Sequence, residues 1–428
     1  MQRAAVDTAT AVMQLLQAGR LVDIDDLRAA ALCDVISVEA LRDPWQKLLT
    51  AHGPITSVGA PLCEPVGPHI TVVKIPVTCE RGAFAVVAMT DQDGGLLGVQ
   101  FGPPEAAEPV RPWQPPSYAD PAGFAEYELT VGCAPLETPG TLSVPHTPRA
   151  LPAVVLVPGS GPNDRDATMG RNKIFKDLAW GLASRGIAVL RFDKVTHTHH
   201  DALADVTEFT VVEEYVRPAV AAVRLLRDHP MVDAGRVFVL GHSQGGTLAP
   251  RIAAAEPSVA GLVVLAGGTQ PPHRALLRQL RHLATLREPT ADPDADPTIQ
   301  TISRQCALID SPQLSASTPA DQLPLGVPAP YWLDLRDYDP VAVAAQIGKP
   351  MLILQGGRDY QVTVTEDLPG WQTRLADRRD VTIRTYPALN HLFFTGSGPS
   401  TPAEYEPAQH VEETVVVDIA RWVTSGQA

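Results

Sequence analysis

Cysteine is scarce in this chain: five among 428 residues, at 33, 63, 79, 133 and 306, with no CxxC pair. An odd number at wide spacing speaks against a disulfide framework and against a thiolate metal site. Long apolar runs are missing too. No stretch reaches eighteen apolar residues, so no helical membrane span is expected. The opening "MQRAAVDTATAVMQLLQAGR" lacks the continuous apolar core of a signal peptide. Basic residues are in deficit, 34 Lys and Arg against 48 Asp and Glu, leaving a net charge of −14. That balance argues against binding a phosphate backbone and reads as ordinary solubility. The expectation is a cytoplasmic protein that takes a small molecule and engages neither nucleic acid nor membrane, with a homodimer left open.

Proline, by contrast, is abundant and unevenly spread. The twenty residues "GPPEAAEPVRPWQPPSYADP" hold seven prolines, a composition suited to a linker. It divides the chain into a small α+β domain over 1–102, a linker over 103–120 and a larger domain over 121–428. In the first part, "DTATAVMQLLQAGR" and "SVEALRDPWQKLLTAHG" carry helical apolar spacing, and Gly19 and Gly53 supply stops. "ITVVKIPVTCE" and "RGAFAVVAMTDQDGGLLGVQF" follow as antiparallel strands with turns at "ERG" and "DQDGG". After the linker, "FAEYELTVG" and "TLSVP" suggest a hairpin. Continuous apolar strands then alternate with helices, from "AVVLVPGSG" to "HVEETVVVDIARWVT". Strands without polar alternation imply a parallel sheet covered on both faces, with active groups at the strands' carboxyl ends.

One such end reads "RVFVLGHSQGG". "GHSQG" fits G-x-S-x-G between a strand and a helix, the sharp turn that exposes a nucleophilic serine. Gly241 and Gly245 let backbone pass where a Cβ would clash, and Ser243 stands at a helix N-terminus, where the dipole favours negative charge. Serine needs a base, and the base needs an orienting carboxylate, following in the order Ser, acid, His. "LILQGGRDYQVT" supplies Asp359 after one strand, and "YPALNHLFF" supplies His391 after the next, with "LFF" to pack it. Asp310, Asp321, Asp334, Asp337, Asp339, Glu366 and Asp367 are alternatives for the acid, but none lies just past a core strand. His410 rivals His391 but sits where the last helix starts, which reads as surface. An oxyanion hole needs two backbone N–H groups. They are expected from Gln244, next after the nucleophile, and from Ser160 in the loop "PGSGPNDRD". Asp164, Arg165 and Asp166 of that loop could grip substrate or pair among themselves; Arg165 is kept as a substrate-binding candidate.

These motifs, with "YWLDLRDYDP" added, resemble the α/β-hydrolase superfamily over roughly residues 124–426, specifically bacterial esterases grouped near the dienelactone hydrolases. The N-terminal part resembles a small α+β domain that precedes the hydrolase in some of them. The resemblance implies an α/β-hydrolase fold with a cap insertion, a Ser-Asp-His triad at Ser243, Asp359 and His391, no metal or cofactor, and hydrolysis of short acyl esters. It departs at Pro158-Gly159, where many members have His-Gly; backbone donation survives that change. The dienelactone hydrolases proper use cysteine as nucleophile, and position 243 is serine.

The cap is expected over about 267–348. "QPPHRALLRQLRHLATLRE" reads as an amphipathic basic helix whose His273, Arg274, Arg278, Arg281 and His282 either meet an anionic substrate or form a solvated face. Tyr331 and Trp332, where the cap returns, are candidates to line the pocket. "THTHH" at 196–200 lacks an acid or cysteine at ligand spacing, so no metal is expected there. Three functions compete: an ester hydrolase; a relative of biosynthetic, secondary-metabolic type that transfers or cyclises an acyl group or eliminates acetate; and a non-catalytic binding protein.

Overall fold

The computed structural model describes residues 2–29, 41–66, 70–104, 113–203, 206 and 208–426. Cys33, the first residues of the second predicted helix and positions 105–112 of the predicted linker lie outside these. The chain forms two compact units, Met1–Pro112 and Trp113–Ala428.

In the first unit, helix α1 (Gln2–Gln17) buries Ala5, Ala9, Val12, Met13 and Leu16, a stripe at spacings of four, three, one and three. Helix α2 (Arg42–His52) buries Trp45 and ends at Gly53, whose φ of +82° suits glycine. Strands β1 (Ile55–Val58), β2 (Leu62–Val66), β3 (Ile70–Cys79), β4 (Gly82–Thr90) and β5 (Leu96–Gly102) form one antiparallel sheet. In β3 the buried residues are Thr71, Val73, Ile75, Val77 and Cys79, every second one, so one face carries the core.

The second unit is organised differently. Its sheet comprises β6 (Phe124–Val131), β7 (Thr138–Pro145), β8 (Leu151–Val157), β9 (Ala188–Phe192), β10 (Val232–His242), β11 (Leu262–Leu265), β12 (Met351–Gly356) and β13 (Val381–Tyr386). Their spatial order is β13-β12-β11-β10-β8-β9-β7-β6. The six strands from β8 onward run parallel, and β6 and β7 form an antiparallel edge hairpin. Every residue of β8 and β12 is buried, because helices cover both faces. One side holds α3 (Ile174–Ala183) and the last helix, Glu413–Ser425. The other holds α4 (Arg217–Arg227) and α5 (Gln244–Ala255).

Two boundaries shift. The second half of the expected linker belongs to the second unit: Trp113 Nε1 donates to Asp177 Oδ1 at 2.9 Å, and the Tyr118 hydroxyl donates to the Val411 carbonyl at 2.8 Å. Proline content marked an irregular segment, but its aromatic rings are anchored. Within the insertion after β11, α6 (Pro272–Arg287), α7 (Pro297–Asp310) and α8 (Ala329–Arg336) come first. The last helix, α9 (Pro340–Ile347), packs Val341 and Ala344 into the core beside α5, so it covers the sheet rather than capping the site.

Candidate active site

The turn after β10 carries Ser243, the candidate nucleophile. Ser243 takes φ +54° and ψ −121°, a conformation that costs strain for any residue with a Cβ. Neighbouring chain leaves no room there. A Cβ on Gly241 would lie 2.1 Å from the Gly245 carbonyl oxygen, and one on Gly245 would lie 2.3 Å from that of Val157. The strain is held by the fold: Ser243 N–H donates to the Leu265 carbonyl at 2.9 Å, and Thr247 N–H closes the first helical turn on the Ser243 carbonyl at 2.9 Å.

Asp359 and His391 meet as expected from the strand ends. His391 Nδ1 lies 2.7 Å from Asp359 Oδ2, with both residues buried. The remaining lone pairs of Asp359 are occupied: Oδ1 accepts from Gln361 N–H at 2.8 Å and Val362 N–H at 3.0 Å, and Oδ2 from the buried Gln355 Nε2 at 3.1 Å. Four partners fix the orientation of the buried carboxylate. Leu392, Phe393 and Phe394 are all buried beside the histidine. The histidine loop is tied to the elbow by His242, whose Nε2 lies 3.0 Å from the His391 carbonyl oxygen, with the two rings 4.8 Å apart. Burial, reinforced by His391, pushes the His242 pKa down to about 3, so His242 is neutral and can donate to that carbonyl. Ser243 Oγ and His391 share no hydrogen bond among the described residues.

The rival residues have other work. Asp310 pairs with His273 and Arg274, Asp334 with Arg251, and Glu366 with Arg278. Asp339 caps α9, and His410 reaches the buried Asp177 at 3.0 Å from three residues before the last helix. His410 is therefore a half-buried structural partner rather than a surface residue.

Above Ser243 lies a cavity of about 180 Å³ lined by Ser160, Gln244, Leu276, Trp332, Gln361 and Asp367, among others. Trp332 is where it was expected. Arg165 is not: its guanidinium is bonded to Asp193, Glu128 and Thr141, away from the cavity, because the charged loop pairs with nearby strand ends. Tyr331 stands behind the lining, accepting from Gln244 Nε2 at 3.3 Å and donating to Glu214 Oε2 at 2.5 Å. The arginines expected to face an anionic substrate are paired, Arg274 with Asp310, Arg278 with Asp367 and Arg281 with Asp294, and His282 stacks on Tyr360 with ring centroids 5.2 Å apart. An open groove of about 890 Å³ adjoins the cavity, sharing Thr247 and Gln270 with it. Of the "THTHH" run, His197 and His199 contact backbone carbonyls. Among the described residues no group of three or more His, Cys, Asp or Glu side chains could hold a metal, and Cys63, Cys79, Cys133 and Cys306 are free thiols. No helix among them is long and apolar enough to cross a membrane.

Sequence reasoning passed over one cluster. Lys194, fully buried after β9, sits 2.8 Å from Glu214 Oε1. Burial pushes its pKa down and Glu214 draws it back up. Glu214 and Tyr215 come from a π-helical turn, Val212–Val216, which buries Glu214, Tyr215 and Val216 in succession. The signal was the acidic pair in "VVEEYV", where regular helical spacing would not turn three consecutive residues inward.

A doubly wound sheet of this order, with a strained serine after β10 and a buried acid–histidine pair after β12 and β13, defines an α/β-hydrolase. The family described as "Serine aminopeptidase, S33" matches residues 169–397, more than half of the chain. Esterase EstD of Thermotoga maritima is 36% identical over 389 residues, covering 91% of this chain and 88% of that protein. The chain belongs to this family of α/β-hydrolases. Among solved structures, Est1E from Butyrivibrio proteoclasticus aligns at 16% identity and a TM-score of 0.45, over 70% of this chain and 99% of that one. A hyperthermophilic esterase from Pyrobaculum calidifontis aligns at 16% and 0.42, over 75% and 88%.

Proposed function

We propose that the protein is a serine esterase cleaving short-acyl carboxylic esters through an acyl-enzyme. Ser243 Oγ adds to the ester carbonyl carbon while His391 takes its proton. The N–H groups of Ser160 and Gln244 receive the negative oxygen, and the tetrahedral species collapses as His391 returns the proton to the departing alcohol. Water, deprotonated by the same histidine, then releases the carboxylic acid and restores Ser243. Asp359 fixes the tautomer and stabilises the imidazolium. The observation that carries this reading is the 2.7 Å contact between the buried His391 and Asp359 beside the strained Ser243.

The family description raises a second substrate class, peptides with a free amino terminus. The cavity favours esters. Its carboxylate, Asp367, is bonded to Arg278 at 2.7 Å and accepts from the N–H groups of Thr269, Gln270 and Thr363, so it is not free for an α-ammonium. The volume of about 180 Å³ falls below the roughly 300 Å³ at which drug-sized ligands begin to fit, and suits a short acyl group. The relative named an esterase supports the same choice. The test is a fluorophosphonate probe, read by mass on the peptide containing Ser243, beside rates on p-nitrophenyl esters of rising chain length and on an aminoacyl p-nitroanilide. Labelling at Ser243 with acetate or butyrate esters preferred is expected; no labelling, or preference for the anilide, would overturn the reading. Residues 1–112 we assign to substrate access or assembly, so a folded chain beginning at Trp113 should still be labelled.

A further inference from the structure

Three buried groups, Lys194, Glu214 and Tyr215, and the half-buried Tyr331 stand behind the residues expected to form the oxyanion hole, and the hydrolytic steps leave them without a role. Lys194 Nζ donates to the Gly161 carbonyl at 2.7 Å and to the Tyr215 hydroxyl at 2.7 Å, lies 3.1 Å from the Gly159 carbonyl oxygen, and pairs with Glu214 Oε1 at 2.8 Å. The Tyr215 hydroxyl in turn donates to the Gly159 carbonyl at 2.8 Å. That carbonyl belongs to the peptide whose N–H is Ser160's. The peptide is planar and trans, so C=O and N–H point in opposite directions. Drawing the oxygen toward the ammonium therefore aims the Ser160 N–H the other way. The same peptide borders the nucleophile, since a Cβ on Gly159 would lie 3.0 Å from Ser243 Cβ, and Ser160 lines the cavity. A second arm leaves the other carboxylate oxygen: Glu214 Oε2 accepts from Tyr331, whose hydroxyl accepts from Gln244 Nε2. One ion pair thus reaches both residues expected to supply the hole.

We infer that Lys194 and Glu214 form an ionic brace that sets the direction of the Ser160 N–H and holds Gln244, making Lys194 and Tyr215 positioning residues for oxyanion stabilisation. Charge-assisted bonds to a carbonyl also polarise its peptide, so the N–H becomes a stronger donor. The inference rests on the esterase reading above. Burying Lys194 costs desolvation that an apolar residue would spare, and the brace gives that cost a function.

The test compares Lys194→Met and Tyr215→Phe with the wild type on p-nitrophenyl acetate. Each variant is also titrated with a trifluoromethyl ketone that adds to Ser243 and carries a negative oxygen. Losing one oxyanion donor costs roughly 10²- to 10³-fold in kcat. Lys194→Met should approach that loss with KM within about threefold of wild type, and Tyr215→Phe, which keeps the ammonium, should lose about tenfold on the same scale. Ketone affinity should fall in parallel with kcat/KM. Folding is monitored by circular dichroism and Tm. If Lys194→Met does not fold, the Tyr215→Phe variant and the double variant Lys194→Met with Glu214→Gln decide the matter. Folded variants with kcat within about twofold of wild type, or with the loss confined to KM, overturn the inference. Fluorophosphonate labelling of the wild type at Ser243 separates that failure from failure of the esterase reading.

Discussion

Below Ser243 the site is held by buried bonds, and above it by bonds that water largely reaches. Asp359, His391, His242 and Gln355 are all buried, and each bonds to another member or to the backbone that carries it. The roofing helix α6 buries only His273 of its sixteen residues and reaches its surroundings through arginine–carboxylate pairs. Exposed pairs contribute about 0–1 kcal/mol each, whereas a buried pair broken at one partner costs about 3–5 kcal/mol. The floor is thus specified position by position, while the roof is fixed at few points and free to vary at the rest.

The largest expected difference lies at Ser243, the proposed nucleophile. Ser243→Ala should lower kcat on p-nitrophenyl acetate by about 10⁶-fold while Tm stays near the wild-type value. Activity within tenfold of wild type would mean that the strained turn is only a packing device. Asp359→Asn comes next, at about 10⁴-fold, because the amide would hold the wrong histidine tautomer. Its four donors would also face an oxygen and an NH₂ group instead of two oxygens. A silent Asp359→Asn beside an essential acid among Asp334, Asp337 and Asp339 would move the relay away from the strand ends and erase the contrast.

That contrast also governs what could be read without a structure. Ser243, Asp359 and His391 were legible because a parallel sheet places its strand ends together, and each residue follows an apolar strand. Trp332 was found from its place at the cap's return. Arg165 was misplaced because a charged loop beside a site looks the same whether its partners are substrate or Asp193 and Glu128. Tyr331 proved one layer too deep for the lining. Lys194 was missed for the opposite reason: it sits one residue past "IAVLRFD", where a lone lysine reads as solvent-exposed, and its partners lie some twenty residues on in a π-turn that helical periodicity does not reveal. The anchoring of Trp113 and Tyr118 was hidden by the surrounding prolines, which suppress regular structure but not side-chain contacts.

Acidification offers a third comparison. His242 has its pKa pushed to about 3 by burial, against about 6.5 when unfolded. Below pH 6.5 the unfolded chain takes up a proton that the folded chain refuses. Stability from this group is therefore present above pH 6.5 and lost as pH falls toward 3, by about 1.4 kcal/mol per unit. His242→Gln, which keeps a donor for the His391 carbonyl, should remove that slope. Its stability deficit against wild type should shrink by about 2 kcal/mol between pH 6.5 and pH 5 in urea titrations. Parallel curves would show that His242 is protonated in the fold. His273, in the roof, is also held low by burial, but Asp310 at 3.0 Å draws it back, so His273→Gln should change the slope less.

The smallest effects test the roof against itself. Arg278 and Arg281 lie one turn-step apart on α6 and both meet carboxylates, yet their partners differ. Arg278 is mostly buried and bonds Asp367, itself buried, as well as the Gln361 carbonyl at 2.8 Å and Glu366 at 3.0 Å. Arg281 meets Asp294 at 2.8 Å with each side chain about half in water. Arg278→Ala leaves Asp367 three backbone N–H donors, so the cost should fall below that of a fully orphaned charge, at about 2 kcal/mol in urea unfolding. Arg281→Ala should cost under about 0.5 kcal/mol. Because Asp367 lines the cavity while Asp294 does not, Arg278→Ala should also alter the chain-length preference on p-nitrophenyl esters, and Arg281→Ala should leave it unchanged. Equal costs for the two substitutions would mean that α6 is fastened by its surface pairs after all, and that the buried tie at Asp367 does not hold the roof.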